Sequence, residues 1–253
     1  MKKLLTIAVA SAMAVSLLAG CGSASGSAGS GKKYVIATDT QFAPFEFTDS
    51  NGKFVGIDVD ILDAIAKDQG FDYELKSLGF DAALIAVQSG QADGVIAGMS
   101  ITDARKETFD FSESYYDAEA TMATAVGSDI DDFNALAGKK VAVKTGTNGA
   151  DFAKSMQSSI GFEITEFSDS PTMYQDVIAG NTDACFEDYP VMAYNIKLGA
   201  QLEIPDGAQG AGTPYGFAVK KGENAELLTM FEQGLKNIKA NGTYDKIIDS
   251  YTK

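Results

Sequence analysis

Apolar residues recur along this chain with two periods that take turns. Tyr34-Val35-Ile36-Ala37-Thr38 reads as a short strand. Glu46-Phe47-Thr48 and Phe54-Val55-Gly56 flank an Asn51-Gly52 turn, which predicts a hairpin because Asn-Gly tolerates the positive φ such turns need. Ile57, Val59, Ile61, Leu62, Ile65 and Ala66 then fall at roughly helical spacing, and Gly70 stops that helix. A strand at 73–75, a helix over 81–89 closed by Gly90 and a strand at 94–97 follow. Beyond residue 115 the alternation resumes. Strands are expected at 121–126 and 140–144, then a helix from Thr147, a strand at 163–165, a helix over 171–179 ended by Gly180, and a strand at 183–186. A strand at 215–219 and a helix over 225–239 complete the pattern.

One stretch echoes another. "LIAVQSGQADGVIAG" and "YQDVIAGNTDACFED" both run helix, Gly, two residues, then Asp entering a strand. Two similar α/β lobes are therefore expected, each ending that strand at an edge where open α/β sheets hold ligands. The final segment is too short for a third domain and is expected to return to the first lobe. This gives lobe 1 as 33–115 plus 215–253, lobe 2 as 119–211, and hinges near 115–119 and 211–215.

The N-terminus sets the compartment. Lys2 and Lys3 precede an apolar run over 4–19, the length of a signal-peptide core and short of the roughly 20 residues a membrane span wants. Leu18-Ala19-Gly20-Cys21 resembles the bacterial lipobox, so residues 1–20 are expected to be a cleaved signal and Cys21 lipidated. Gly, Ser and Ala alone fill 22–31, and the tether is placed at 21–32. The expected product is an extracytoplasmic monomer, lipid-anchored to the cell membrane of a bacterium.

Composition removes much chemistry. The 253 residues hold 35 acidic and 20 basic side chains, a net of −15, which argues against a nucleic-acid surface. Histidine is absent, so a Ser-His-Asp triad and the common His-based metal sites are impossible. Two cysteines cannot build a disulfide scaffold, and Cys185 is expected to be a small buried apolar residue. No metal or cofactor is expected. Asp129, Asp131 and Asp132 lack EF-hand spacing and read as a solvated turn.

Five clusters carry candidate chemistry, each at a predicted strand end or helix start. Thr38 to Phe47 holds Asp39 and Phe42, and Phe80 precedes a helix. Gly98-Met99-Ser100 exposes backbone groups at a strand end, one turn before Arg105, the only arginine in the chain. A guanidinium captures a carboxylate through two parallel hydrogen bonds, which lysine cannot imitate; the plainer alternative is a surface ion pair with Glu107 or Asp110. Lys144-Thr145-Gly146-Thr147-Asn148-Gly149 runs from a strand into a helix N-terminus, where N–H groups and the helix dipole welcome an anion. Glu187-Asp188 closes a strand with two adjacent acids. Together these describe a zwitterion site: Arg105 and the helix start near Thr147 for a carboxylate; Asp188, Ser100 and the Gly98 carbonyl for an ammonium; Phe42 and Phe80 over the apolar stem.

"ATDTQFAPFEF", "GIDVDILDAIAKD", "AGMSITDARKETFDFSESYY", "VAVKTGT" and "NGTYDKI" resemble the polar amino-acid-binding proteins of ABC importers, over residues 33 to 252 and in order, and most closely the glutamine binders. The resemblance implies the two-lobed type II periplasmic-binding-protein fold, a permease as partner and no catalysis. It implies that Arg105 clamps the ligand α-carboxylate with N–H groups at Ser100 and around Asn148. Asp188 would bind the α-ammonium with Gly98 and Ser100, with Met99 between them. Phe42 and Phe80 would sandwich the side chain, and Asp39 and Lys144 would face its amide. The chemistry of that last pair agrees: one acceptor and one donor suit a primary amide, whereas glutamate would oppose Asp39, and lysine or arginine would oppose Lys144. There is one departure from the glutamine-binding pattern that the chain resembles: where that pattern has a histidine before the ammonium-binding acid, this chain has Glu187. An extra carboxylate there either recruits a cationic side chain or points elsewhere, which leaves histidine, arginine or glutamate as alternative ligands. A dehydratase on the same fold would need Glu187 as a cleft acid.

Overall fold

The computed structural model describes residues 32–252; the signal at 1–20, the lipidation site Cys21 and the tether up to residue 31 lie outside the described residues. Two sheets organise the chain. The first runs β4 (Asp72–Ser77), β1 (Lys33–Thr38), β5 (Gly94–Val95), β13 (Ala218–Lys220), β6 (Phe109–Phe111), with β1 parallel to both neighbours and β13 antiparallel to both of its own. The second runs β11 (Leu202–Glu203), β7 (Tyr116–Ala125), β10 (Ala184–Asp188), β8 (Lys140–Lys144), β9 (Glu163–Phe167). Here β10, β8 and β9 are parallel, and β12 (Gln209–Tyr215) pairs antiparallel with β7. The hairpin around Asn51-Gly52 forms as β2 (Phe47–Thr48) and β3 (Phe54–Val55).

Side-chain alternation decides which helix covers which face. In β8, Val141 and Val143 pack with Ala150 and Ala153 of α4 (Asn148–Ile160), while Ala142 between them joins Met173 and Val177 of α5 (Ser170–Ile178). In β10 the same alternation sends Phe186 one way and Cys185 the other, where Met192 of α6 (Tyr189–Lys197) also packs. The first sheet is layered likewise. Ile57, Ile61, Leu62 and Ile65 of α1 (Ile57–Gln69) pack with Phe231, Leu235 and Ile238 of α7 (Ala225–Ala240) on one face, and Phe80, Ala83 and Val87 of α2 (Phe80–Gln88) cover the other. The start of α1 demands glycine at position 56: a Cβ there would sit 2.0 Å from the Phe45 carbonyl oxygen, and φ is +143°.

The strand expected at 215–219 is two strands in different sheets. Tyr215 pairs with Tyr116 in the second sheet, whereas Ala218 pairs with Val95 and Phe111 in the first, so the chain crosses between lobes at Gly216-Phe217. Alternation alone cannot reveal this, because apolar residues continue across the break. The strand expected at 121–126 begins earlier, at Tyr116, and so forms the other crossing beside Tyr215. A last helix, α8 (Thr243–Thr252), has no fully buried residue, and its apolar face only partly covers α1 and α7. Asp132 caps a short 3-10 turn over Phe133–Leu136, accepting from the Asn134 and Ala135 N–H groups.

Candidate functional site

Most of the candidate residues stand at carboxyl ends of parallel strands that face one another across the lobes. Asp39 follows β1, Gly98 and Ser100 follow β5, Lys144 ends β8 and Asp188 ends β10. Phe42, Phe80, Ala97, Gly98, Ser100, Arg105, Lys144, Thr147, Asn148 and Asp188 line one small cavity of about 10 Å³, room for about one water. Arg105 and Asp188, drawn from different lobes, therefore share it. A larger hollow, about 430 Å³, lies against Pro44, Tyr116, Tyr194 and Tyr251, and none of the candidates reaches it.

Arg105 lies on a single turn, α3 (Asp103–Lys106), started by the Thr102 side chain accepting from the Arg105 N–H. Its Nη1 donates to the Ser100 carbonyl (2.8 Å) and its Nη2 to the Gly146 carbonyl of the opposite lobe (2.8 Å). Asp110, the alternative partner, is engaged by Lys221 and the Gly222 N–H. Burial lowers the guanidinium pKa, opposed by the nearby acids Asp151 and Asp188. The guanidinium carbon sits 5.4 Å from the Phe80 ring centre.

Asp188 is buried and accepts a hydrogen bond from the Tyr215 hydroxyl. Burial first, and the Glu187 charge second, push its carboxyl up to about 7 against the opposing pull of Tyr215, Arg105 and Lys144. Tyr215 also stacks on Tyr116 (5.9 Å) and meets Phe45 edge-on (5.1 Å), so the crossing strands and the site acid are mechanically one unit. Nothing in the spacing of the sequence pointed to Tyr215 as a site residue.

Lys144 and Asp39, each 2% exposed, form an ion pair across the lobes. The ammonium also lies 4.9 Å from the Phe42 ring centre and 5.7 Å from that of Phe80. Asp39 itself is outside the cavity lining, one step behind Lys144, and takes the Thr40 N–H as well (2.6 Å). Thr147 spends its hydroxyl on capping α4, donating to the Lys144 carbonyl and accepting from the Ala150 N–H. Asn148 then opens the helix, where first-turn N–H groups have no intrahelical partner. Its side chain donates to Thr213 (3.3 Å).

Two candidates lie elsewhere. Met99 is fully buried in the first-lobe core with Ala37, Val95 and Ala97, and its carbonyl accepts from the Gly216 N–H. Glu187 faces the interior of the second lobe. One oxygen accepts from Ser170 (2.7 Å) and Tyr174 (2.8 Å), the other from the Asp188 N–H (3.0 Å), and it does not line the cavity. Its neighbour Cys185 is a fully buried free thiol whose pKa burial pushes far up.

Comparison with known proteins now adds to this geometry. Residues 34–253 match the family described as bacterial extracellular solute-binding proteins, family 3. The chain is 33% identical over 262 residues to a probable histidine-binding protein of Neisseria gonorrhoeae, covering 99% of this chain and 96% of that one. The second substrate-binding domain of Lactococcus lactis GlnP, solved in an open conformation, is 47% identical, covers 87% of this chain and 94% of its own, and superposes with a TM-score of 0.61. An ancestral arginine-binding protein bound to arginine is less identical, 38% over 87% of this chain and 98% of its own, yet superposes better, at 0.82. In this chain the two lobes are joined by the Arg105–Gly146 hydrogen bond and the Lys144–Asp39 ion pair.

Proposed function

The chain belongs to the family-3 bacterial extracellular solute-binding proteins, and from that premise we propose that it captures a polar L-amino acid, glutamine before others, for delivery to an ABC importer. The observation that carries this reading is the sharing of one small cavity by Arg105 of the first lobe and Asp188 of the second. A guanidinium and a carboxylate at opposite walls suit the two charges of an α-amino acid, and closing the lobes on that guest is what such a pair rewards. Phe42 and Phe80 flank the stem, and the Asp39–Lys144 end receives the side chain. The lobes, expected at 33–115 with 215–253 and at 119–211, we take to turn at the two crossings, beside Tyr116 and at Gly216-Phe217. The lipid anchor on Cys21, the monomeric state and the absence of catalysis belong to the same reading.

A primary amide supports the choice of glutamine, because it can accept from Lys144 and donate to Asp39 at once. The orientation of Glu187 also favours it. With both oxygens engaged inside the second lobe, that acid offers nothing to a cationic ligand side chain and no proton to a dehydration. Histidine or arginine is the second reading, favoured by the histidine-binding relative and the arginine-bound neighbour. Against arginine stands the Lys144 ammonium at the side-chain end of the cavity.

Titration calorimetry of ligand-free protein against the twenty amino acids tests the reading. Glutamine should bind tightest, asparagine more weakly, and Arg105→Ala should abolish binding to all. Arginine or histidine binding more tightly than glutamine would overturn the choice of ligand. Undiminished binding by Arg105→Ala would overturn the site.

A further inference from the structure

We propose that Glu46 and Asp58 form a proton-sharing pair that positions the Gly98 backbone, an assignment that deepens the site described above and rests on it. Both side chains are wholly buried. One Asp58 oxygen, Oδ2, accepts from the Gly98 N–H (2.7 Å) and from the Tyr115 hydroxyl (2.8 Å). Its other oxygen and both oxygens of Glu46 have no other donor, and the backbone sets the two residues side by side, the Asp58 N–H donating to the carbonyl of Phe45, which precedes Glu46 (2.9 Å). Two adjacent ionised carboxylates without a cation between them are not sustainable in such a place, whereas one shared proton satisfies the unpartnered oxygens.

Geometry also decides which acid keeps the proton. Asp58 is in the first turn of α1, a helix of 13 residues, where the dipole favours negative charge, and it receives two donors. Glu46 lies outside the helix and receives neither. Glu46 is thus the carboxylic acid and donor, Asp58 the carboxylate. The pKa directions agree: burial first, and Asp58 second, hold Glu46 well above the usual range. Burial raises Asp58 to about 6, offset by Gly98, Tyr115 and Glu46. The other charged or titratable groups facing the pair are Asp39 and Lys144, acting on Glu46 with opposite sign, and the phenols of Tyr115 and Tyr244 near Asp58.

What the pair holds bears on recognition. Gly98 lines the cavity at φ +53°, with the Phe42 ring so near that a Cβ would fall 2.5 Å from it. Fixing the Gly98 peptide fixes a stretch of ligand-facing backbone together with that ring. Tyr115 ties the same carboxylate to the first crossing, and its own carbonyl accepts from Tyr244 of α8 (2.5 Å). Asp58 and Glu46 are therefore positioning residues that touch no ligand.

The test follows the Gly98 amide by NMR in the full chain from about pH 5 to about pH 10. In the wild type its resonance should shift twice, once as Asp58 titrates at about 6 and again at higher pH as Glu46 ionises. Glu46→Gln, a fixed neutral donor, should erase the second shift alone. A second shift that survives Glu46→Gln, or a Gly98 resonance indifferent to pH, would overturn the assignment. A binding arm accompanies it: Glu46→Ala should weaken glutamine binding by about tenfold, and Glu46→Gln should recover most of that loss. Equal loss in both variants would also count against it. Should the wild type bind no amino acid, the proposed ligand is wrong, and the Gly98 titration still decides the pair.

Discussion

Ligand affinity should depend on the protonation of Asp188. Its carboxyl is buried beside Glu187 and rises from 3.8 to about 7. Only the ionised form attracts an ammonium, so the apparent Kd should scale as 1 + 10^(7 − pH), a factor of about 1.1 at pH 8 and about 11 at pH 6. Binding should therefore weaken about tenfold over those two units, with about one proton released per ligand bound near pH 6. Asp58, at about 6, adds at most about twofold at the acid end. The sign for stability is opposite. A carboxyl whose folded pKa is raised contributes stability below its unfolded value and loses it as pH climbs through the folded one. The cost of charging Asp188 in the ligand-free closed form is roughly 4 kcal/mol for a rise from 3.8 to about 7. Ligand-free protein should thus lose stability between about pH 4 and 7, and the rise in Tm on adding ligand should grow over the same range. Calorimetry in paired buffers of different ionisation enthalpy measures both the affinity and the protons released. A Kd constant between pH 6 and 8, with no proton release, would refute the role given to Asp188.

Three other perturbations follow from particular contacts. Asp39→Asn removes the charge that opposes a ligand carboxylate, so the preference for glutamine over glutamate should fall by at least about tenfold in competition calorimetry; an unchanged ratio would count against the side-chain assignment. Phe231, fully buried and stacked on Phe217 at 4.4 Å, should cost about 3–5 kcal/mol when changed to Ala, read from the urea midpoint at constant m. Cys185 should resist thiol reagents in the folded protein and react only in denaturant, since burial keeps it a neutral thiol.

Much of this arrangement was legible from residue order. Parallel strands with apolar alternation announced themselves in 34–38, 140–144 and 183–186, and the site residues could be named because strand ends, lone Arg105 and the Thr147 helix start are local signals. Met99 is a case that alternation does not settle: the chain bends after β5, with Gly98 at φ +53°, so that Ala97, Gly98 and Ser100 line the cavity while Met99 is buried in the core. Long-range pairings were not legible. That Tyr215 would bond Asp188 depends on the second crossing returning beside the first. That Glu187 would turn inward depends on Ser170 and Tyr174 presenting two hydroxyls from one face of α5. A strand-end acid next to another acid reads the same whether it faces cleft or core, and only the covering helix separates the cases.

The cross-lobe contacts imply that recognition is an exchange of partners. Arg105 donates to the Gly146 carbonyl and Lys144 pairs with Asp39, so the groups proposed to hold the ligand also hold the lobes together. A guest must offer at least what these contacts offer each other. A buried ion pair is costly to break by halves, because the abandoned charge stays desolvated. A primary amide inserted between Lys144 and Asp39 leaves neither group alone, since it accepts from one and donates to the other. A carboxylate satisfies Lys144 and confronts Asp39, while an ammonium does the reverse. An apolar tip strands both. Discrimination then comes less from the fit of the chosen side chain than from the cost every other one imposes on a pair already satisfied without it.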